Sequence, residues 1–495
     1  MILLDGSSLT LPDLLAIAHD GAAVGLSPAA RQRVRASRAL VDARATGDEP
    51  AYGINTGFGS LSDVRIARDQ LSALQFNLIR SHAAGVGEPL SVPVVRATMA
   101  LRANVLAKGY SGIREETLEA LLGALNARVH PRIPSRGSVG ASGDLAPLAH
   151  LALVLIGEGA TLDGRTLADA GLAPVTLDAK EGLALINGTQ PSTAVLALAW
   201  GEAMRLAEAA DLAAAMSLDA LQGSAKPFDP RIHDARPYEG QRASAKRIAA
   251  LLVDSAINAS HATCGRVQDA YCLRCAAQVH GAARDALAFI ERTVLVEANA
   301  ATDNPMVFAE DGEIVSGGNF HGAPIAIAAD LLAIAVTHLA TISERRSDRL
   351  LDSKVSGLPP FLTEHSGLHS GLMMAQVTAA ALSSELKTLA HPASVDTIPT
   401  SAGKEDHVSM SMGAALKAAR SVETARHVVA IELLCASQGL DLLRPLTTSP
   451  ALQRVLATIR ADVPTLVDDR PPSPDITALA ARIADGSLEA AAARV

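Results

Sequence analysis

Three long stretches of the chain carry apolar residues at helical spacing. They are "TAVLALAWGEAMRLAEAADLAAAMSLDAL", "APIAIAADLLAIAVTHLATISERR" and "MGAALKAARSVETARHVVAIELLCASQGLDLL". Periodic runs of this length predict the helices of an antiparallel bundle. Gly439 reads as the stop of the last one. "DDRPPSPDI" then breaks the pattern, and Pro474 stands near the start of a short C-terminal helix. The first part of the chain reads differently. Short helical segments alternate there with Gly-rich connections: "AYGINTGFGS", "SHAAGVGEPL", "RGSVGASGD" and "LINGTQPST". The expected fold is mainly α. Residues 1–200 form an N-terminal domain of short helices and loops, and residues 201–495 form the bundle with its C-terminal helices. Polar clusters interrupt the bundle at "VQDAYCLRC", "TDNPMVF", "SGGNFHGAP" and "SAGKEDHVSM". Such interruptions are where sites tend to be built.

Composition sharpens this picture. Hydrophobic residues make up 49% of the 495 residues but aromatic ones only 2%. The core must be Ala, Leu, Val and Ile, which suits closely packed helices better than sandwiches. The most apolar window, "GAPIAIAADLLAIAVTHLATI", contains Asp330 and His338, so it reads as a buried bundle helix rather than a membrane span. Net charge is −9. No basic block stands out, so no nucleic-acid footprint is visible. The N-terminus lacks the pattern of a secretory signal. The four cysteines, Cys264, Cys272, Cys275 and Cys435, then read as reduced thiols of a cytoplasmic protein. Cys272 and Cys275 have CxxC spacing, but a zinc site needs four ligands and no second pair or His partner accompanies them. No metal is expected.

The stretch "RGSVGASGDLAPLAH", Arg136 to His150, carries the candidate chemistry. It is not a phosphate loop. It has no Lys for a Walker motif, and "HPRIPSRGS" before it is a poor strand for a dinucleotide fold. Asp144 would also repel an anion. One reading is a tight turn capped by Asp144. The other uses the smallness of the residues. If the Gly143 amide nitrogen attacks the Ala141 carbonyl, a five-membered ring closes across Ser142. Loss of two waters leaves a methylidene-imidazolone, a carbon electrophile that the ordinary side chains do not offer.

These residues resemble the signature of the aromatic amino acid ammonia-lyases, which make this ring from their own Ala-Ser-Gly. The resemblance runs collinearly through "YGINTGFG", "SHAAGVGE", "GYSGIR", "KEGLALINGTQ", "VQDAYCLRC", "TDNP", "SGGNFH", "SERR", "LPPFL", "AHPASVD" and "EDHVSM". Within the family the chain is most similar to the histidine-type members. The resemblance implies non-oxidative removal of ammonia from L-histidine to give trans-urocanate. The methylidene-imidazolone of Ala141, Ser142 and Gly143 would be the only cofactor. It also implies a homotetramer with sites shared between subunits.

Site roles follow from the same resemblance. Tyr52 matches the base that removes the β-proton. A free Tyr has a pKa of about 10, so N–H donors from the Gly-rich backbone would have to favour its phenolate. Arg274 would bind the substrate carboxylate as a bidentate fork, with Asn187 helping to orient it. Gln268 and Tyr271 match further site positions, and Phe320 would pack beside the ring. Ser81-His82 is the histidine-type pairing at the side-chain selector, and Glu405 would meet an imidazole. Read singly, Tyr52 is also an ordinary half-buried Tyr and Arg274 an ordinary helix Arg. Gly403-Lys404 departs from the usual Asn-Gln before Glu405. A Lys beside the imidazole partner opens a second outcome, a histidine 2,3-aminomutase that returns ammonia to the β-carbon. A fumarase-like lyase is disfavoured, because its Gly-Ser-Ser-x-Met-Pro loop is absent.

Overall fold

The computed structural model describes residues 1–47, 49–262, 265 and 267–493. Cys264 lies outside them. The chain divides into two compact units. The first comprises Met1–Leu198, Glu291–Asp330 and Pro392–Lys417. The second comprises Ala199–Ile290, Leu331–His391 and Ala418–Val495. Two segments from the C-terminal half thus belong to the first unit, a return that local patterning cannot reveal.

Short helices and connections dominate the first unit. The Val92–Ala107 helix starts after Ser91, with Pro93 in its first turn, where a missing N–H costs nothing. Every residue from Val95 to Ala107 is buried, as expected of a helix apolar on nearly all faces. Two arginines interrupt it. Arg96 donates from Nε to the Ile17 carbonyl at 2.7 Å and from Nη1 to the Leu125 carbonyl at 3.1 Å. Arg102 is fully buried.

Three two-stranded pairs also occur among the described residues. One corrects the expectation before the Ala-Ser-Gly loop: Pro134–Arg136 is a strand, paired antiparallel with Val86–Pro89. Pro134 is tolerated at the first position of so short an edge strand. No βαβ unit follows, so the rejection of a dinucleotide fold is unaffected.

The longest helices are Gln190–Ala220, Ala276–Ala298, Ala323–Leu351 and Ser411–Leu442. The last continues through Gly439, which is not its stop. A Cβ there would meet Ala220 Cβ at 3.1 Å and a Leu358 methyl at 3.1 Å, so the glycine serves close packing. The Ala323–Leu351 helix is long and apolar enough to cross a membrane, but 67% of its most apolar window is buried inside the protein. Its Asp330 pairs with Lys417 at 2.7 Å and accepts the Ser394 N–H at 2.7 Å. Burial opposes ionisation of this carboxyl, yet these partners hold it below the usual carboxylate range.

The second unit buries a connected set of charges. Arg346 grips Glu432 with both ends of its fork, at 2.5 and 2.8 Å. Asp211 accepts from Arg284 Nη2 at 2.6 Å and meets His280 Nδ1 at 2.7 Å. Arg346 Nη1 also donates to the Cys272 carbonyl at 3.3 Å. Cys272, Cys275 and Cys435 are free thiols. Arg346 and Glu432 are both fully buried, so removing one strands the other. Arg346→Met is expected to destabilise the protein by about 3–5 kcal/mol, read as a lower urea midpoint. Arg346→Lys should lose less, because it keeps the charge and loses only the fork.

Candidate active site

The Ala-Ser-Gly turn is built by backbone contacts within the first unit. Gly140 has φ +65. Its carbonyl accepts the Ser409 hydroxyl at 2.8 Å and the Gly322 N–H at 3.2 Å. The Met410 N–H donates to the Val139 carbonyl at 2.7 Å. Gly143 has φ +68 and forms a bridge to Gly188. A Cβ on Gly143 would stand 2.2 Å from the Gly188 carbonyl oxygen. Only glycine satisfies both demands.

Asp144 occupies the N-cap position of the Leu145–Leu155 helix, but its side chain makes no capping hydrogen bond. It clamps two other segments instead. Oδ1 accepts the Ser138 hydroxyl at 2.6 Å, and Oδ2 accepts the Ser192 N–H at 2.8 Å. Burial pushes this carboxyl above the usual range despite both bonds.

Asn187 ends the short Glu181–Ile186 helix, and its Nδ2 donates to the Ser142 carbonyl at 3.0 Å. The Ser142 hydroxyl donates to Glu405 Oε1 at 2.7 Å. Glu405 Oε2 accepts the Thr400 hydroxyl at 2.6 Å. Thr400 and Glu405 also bridge through their backbones, which closes the 400–405 loop.

Ala141, Ser142, Asn187 and Glu405 line a cavity of about 460 Å³. Tyr52, His82, Phe320 and Lys404 line it too. The Gly59 N–H donates to the Tyr52 phenol oxygen at 3.2 Å, and Phe58 meets the Tyr52 ring edge-on at 6.4 Å. His82 closes the Leu71–His82 helix, with Nδ1 2.8 Å from the Leu78 carbonyl. A carbonyl only accepts, so Nδ1 carries the proton and Nε2 is left as an acceptor. Burial lowers the His82 pKa below its ordinary value, against the pull of Glu405. Ser81 is exposed, donates to the Leu78 carbonyl at 3.1 Å and does not line the cavity. Lys404 is exposed at the cavity edge.

Three expected residues lie in the second unit. Gln268 and Arg274 line a separate cavity of about 520 Å³ there, beside Lys226 and His261. Tyr271 is 70% exposed, and the Arg274 guanidinium sits over its ring at 4.7 Å.

Two cavity residues escaped the sequence reading. His321 and His407 stack with rings 5.8 Å apart and 6° from parallel, inside the same motifs that carry Phe320 and Glu405. Arg102 escaped as well. A lone Arg in the apolar run "ATMALRANVLA" was the available signal.

The residues present fit a ring formed from Ala141, Ser142 and Gly143. Gly143 holds a positive φ and carries no Cβ, which would meet the Gly188 backbone. The Ser142 carbonyl is already polarised by an amide donor. Asn187 Oδ1 is buried without a partner, an acceptor open to a ligand.

A family model described as aromatic amino acid lyase matches residues 9–461, and the chain belongs to that family. It is 56% identical over 504 residues to the histidine ammonia-lyase of Anaeromyxobacter sp. (strain K), covering 99% of each. It is 55% identical over 492 residues to that of Stigmatella aurantiaca, covering 98% of this chain and 96% of the relative. Among solved structures it is similar to the histidine ammonia-lyase of Trypanosoma cruzi, with a TM-score of 0.92 and 46% identity over 99% of this chain and 94% of that one. The tyrosine aminomutase of Streptomyces globisporus superimposes with a TM-score of 0.94 at 38% identity, over 99% of this chain and 98% of that one.

The turn's tolerance is testable. A Cβ on Gly140 would stand 2.2 Å from Ser411 Oγ and 2.3 Å from Ser409 Oγ. Gly140→Ala should displace the loop, and intact-mass spectra should show fewer chains that have lost two waters.

Proposed function

We propose that the protein removes ammonia from L-histidine without oxidation and releases trans-urocanate. The convergence of Ser142, Tyr52, His82 and Glu405 on one cavity carries this reading. High identity to relatives named histidine ammonia-lyase over their full length supports it. When formed from residues 141–143, the methylidene-imidazolone supplies the carbon electrophile that captures the substrate amine.

The chain's own residues do the rest. Tyr52, acting as its phenolate, takes the β-proton on the oxygen to which the Gly59 N–H donates, and becomes a neutral phenol. Ser142 gives up its hydroxyl on maturation, and with it the donor that occupies Glu405 Oε1. That oxygen is then free to accept an imidazole N–H. His82 Nε2 is a second acceptor, and the Lys404 ammonium is a donor on the same cavity. A phenyl ring would strand the two acceptors, at about 1–3 kcal/mol each. Phe320 packs beside the reacting carbon.

Assembly as a homotetramer in the cytoplasm completes the reading. Arg274 then holds the substrate carboxylate for a second copy, with Gln268 and Tyr271 beside it. The aminomutase outcome stays open on fold alone, since a tyrosine aminomutase superimposes as well as a histidine ammonia-lyase does. Sequence identity favours the lyase.

Incubation with L-histidine should yield urocanate and ammonia in equal amounts. β-Histidine as the main product would replace the lyase with the aminomutase. Tyr52→Phe should lower turnover by about two to four orders of magnitude while leaving the ring's ultraviolet absorbance intact. His82→Leu should erode the preference for histidine over phenylalanine, mostly by losing histidine turnover. Lys404→Gln should leave urocanate as the product. Co-expressed Ser142→Ala and Arg274→Met chains, each inactive alone, should regain part of the activity, because mixed oligomers contain sites with both residues intact.

A further inference from the structure

We infer that Arg102 is a positioning residue for the electrophile, setting a buried positive charge behind the Asn187 amide that holds the Ser142 carbonyl. This rests on the reading that residues 141–143 cyclise.

The guanidinium is fully buried in the first unit. Nη1 donates to the Asn187 carbonyl at 2.9 Å and to Gln190 Oε1 at 2.8 Å. Nη2 donates to the Ala184 carbonyl. Every one of these partners is neutral. Asp303 is the acid that acts on Arg102 through space, and it is ion-paired with Lys180 at 3.3 Å. Burial lowers the Arg102 pKa only to about 10, so the group stays charged at neutral pH. A buried cation without a paired carboxylate is costly, and a core helix of this kind is served more cheaply by Leu or Met.

Its location gives the charge a use. The Ala184 and Asn187 carbonyls end the Glu181–Ile186 helix, so the cation sits at the negative pole of that helix. It also fixes the turn from which Asn187 Nδ2 reaches the Ser142 carbonyl. Between Arg102 and the Ala-Ser-Gly turn stands Gly188. A Cβ on Gly188 would lie 2.4 Å from Arg102 Nη1, and a Cβ on Gly143 would lie 2.2 Å from Gly188 O. One residue without a side chain therefore separates the guanidinium from the reactive turn.

When a nucleophile bonds to the exocyclic methylene carbon, the C=C electron pair shifts onto the oxygen contributed by Ser142, and water later supplies a proton. A fixed positive charge behind that oxygen favours the shift. Arg102 should therefore set how fast any nucleophile adds.

Gln190→Glu tests this, because it places a carboxylate on Arg102 Nη1 at nearly unchanged volume. Borohydride serves as the nucleophile, its hydride forming the new C–H bond. The readout is the rate at which the ring's ultraviolet absorbance bleaches, with no substrate present. Gln190→Glu should bleach roughly tenfold or more slowly than wild type, and Gln190→Leu, which adds no charge, at close to the wild-type rate. Equal rates in wild type and Gln190→Glu overturn the inference, as does equal slowing in both variants, since Arg102 would then act through packing alone. If Gln190→Glu fails to lose two waters, Gln190→Leu decides: maturation there assigns the failure to the added charge and supports the inference, and failure in both overturns it. A wild-type chain that retains both waters overturns the reading of residues 141–143 instead.

Discussion

The approach of two glycine backbones, Gly143 and Gly188, is the constraint on which the site depends. The Asp144 N–H reaches the Gly188 carbonyl at 2.8 Å; a Cβ on Gly143 would collide with the Gly188 backbone, and a Cβ on Gly188 with Arg102 and Gln190. This contact joins the Ala-Ser-Gly turn to the segment that carries Asn187. It keeps Gly143 at positive φ, and it leaves Ser142 facing the cavity with its carbonyl held by an amide and its hydroxyl held by a carboxylate. A looser turn of the same composition would be merely flexible. Small residues act here because neighbouring backbone fills the volume that side chains would otherwise occupy.

Electrostatics around the turn run in one direction. Burial pushes the Asp144 carboxyl up, and it pushes up Glu297, whose Oε1 accepts the Thr189 hydroxyl at 2.6 Å. Both acids are thus biased toward their neutral forms. Arg102, equally buried, keeps its proton. The asymmetry has a simple source. A guanidinium starts so far above neutral pH that desolvation cannot discharge it, whereas a carboxyl starts close enough to lose much of its charge. On the inference drawn above, the charge that survives burial on the Asn187 and Gly188 side of the turn is that of Arg102.

Much of this was legible in the sequence, and what was not has physical causes. The long Ala-rich periods gave the helices, because a face that must be buried repeats at 3.6 residues. Gly439 misled, because a glycine in close helix packing looks the same as a glycine at a stop. Asp144 misled in a similar way: its position is that of a cap, but its partners come from Ser138 and from Ser192, 48 residues on. The joining of 291–330 and 392–417 to the first unit is a long-range fact with no local signature. Tyr52, His82, Asn187 and Glu405 were found because their motifs are collinear with a family. The stacking of His321 on His407 joins positions far apart in the chain and has no local signature.

The cavity's hydrogen-bonding inventory bears on what can fill it. His82 is held with its proton on Nδ1 by a carbonyl of its own helix, and burial resists a second proton. It presents only an acceptor. Glu405 is an acceptor throughout, with one oxygen permanently occupied by Thr400 and the other by a hydroxyl that maturation removes. On the reading proposed above, two acceptors and the Lys404 donor then face the substrate side chain. A neutral imidazole carries one N–H and one bare nitrogen, and can satisfy an acceptor and a donor together. A phenol carries a single hydroxyl at the far end of a longer ring, and a phenyl group satisfies none of them. Selectivity in this account comes less from the shape of the cavity than from the cost of closing a ring over buried groups that it cannot pair.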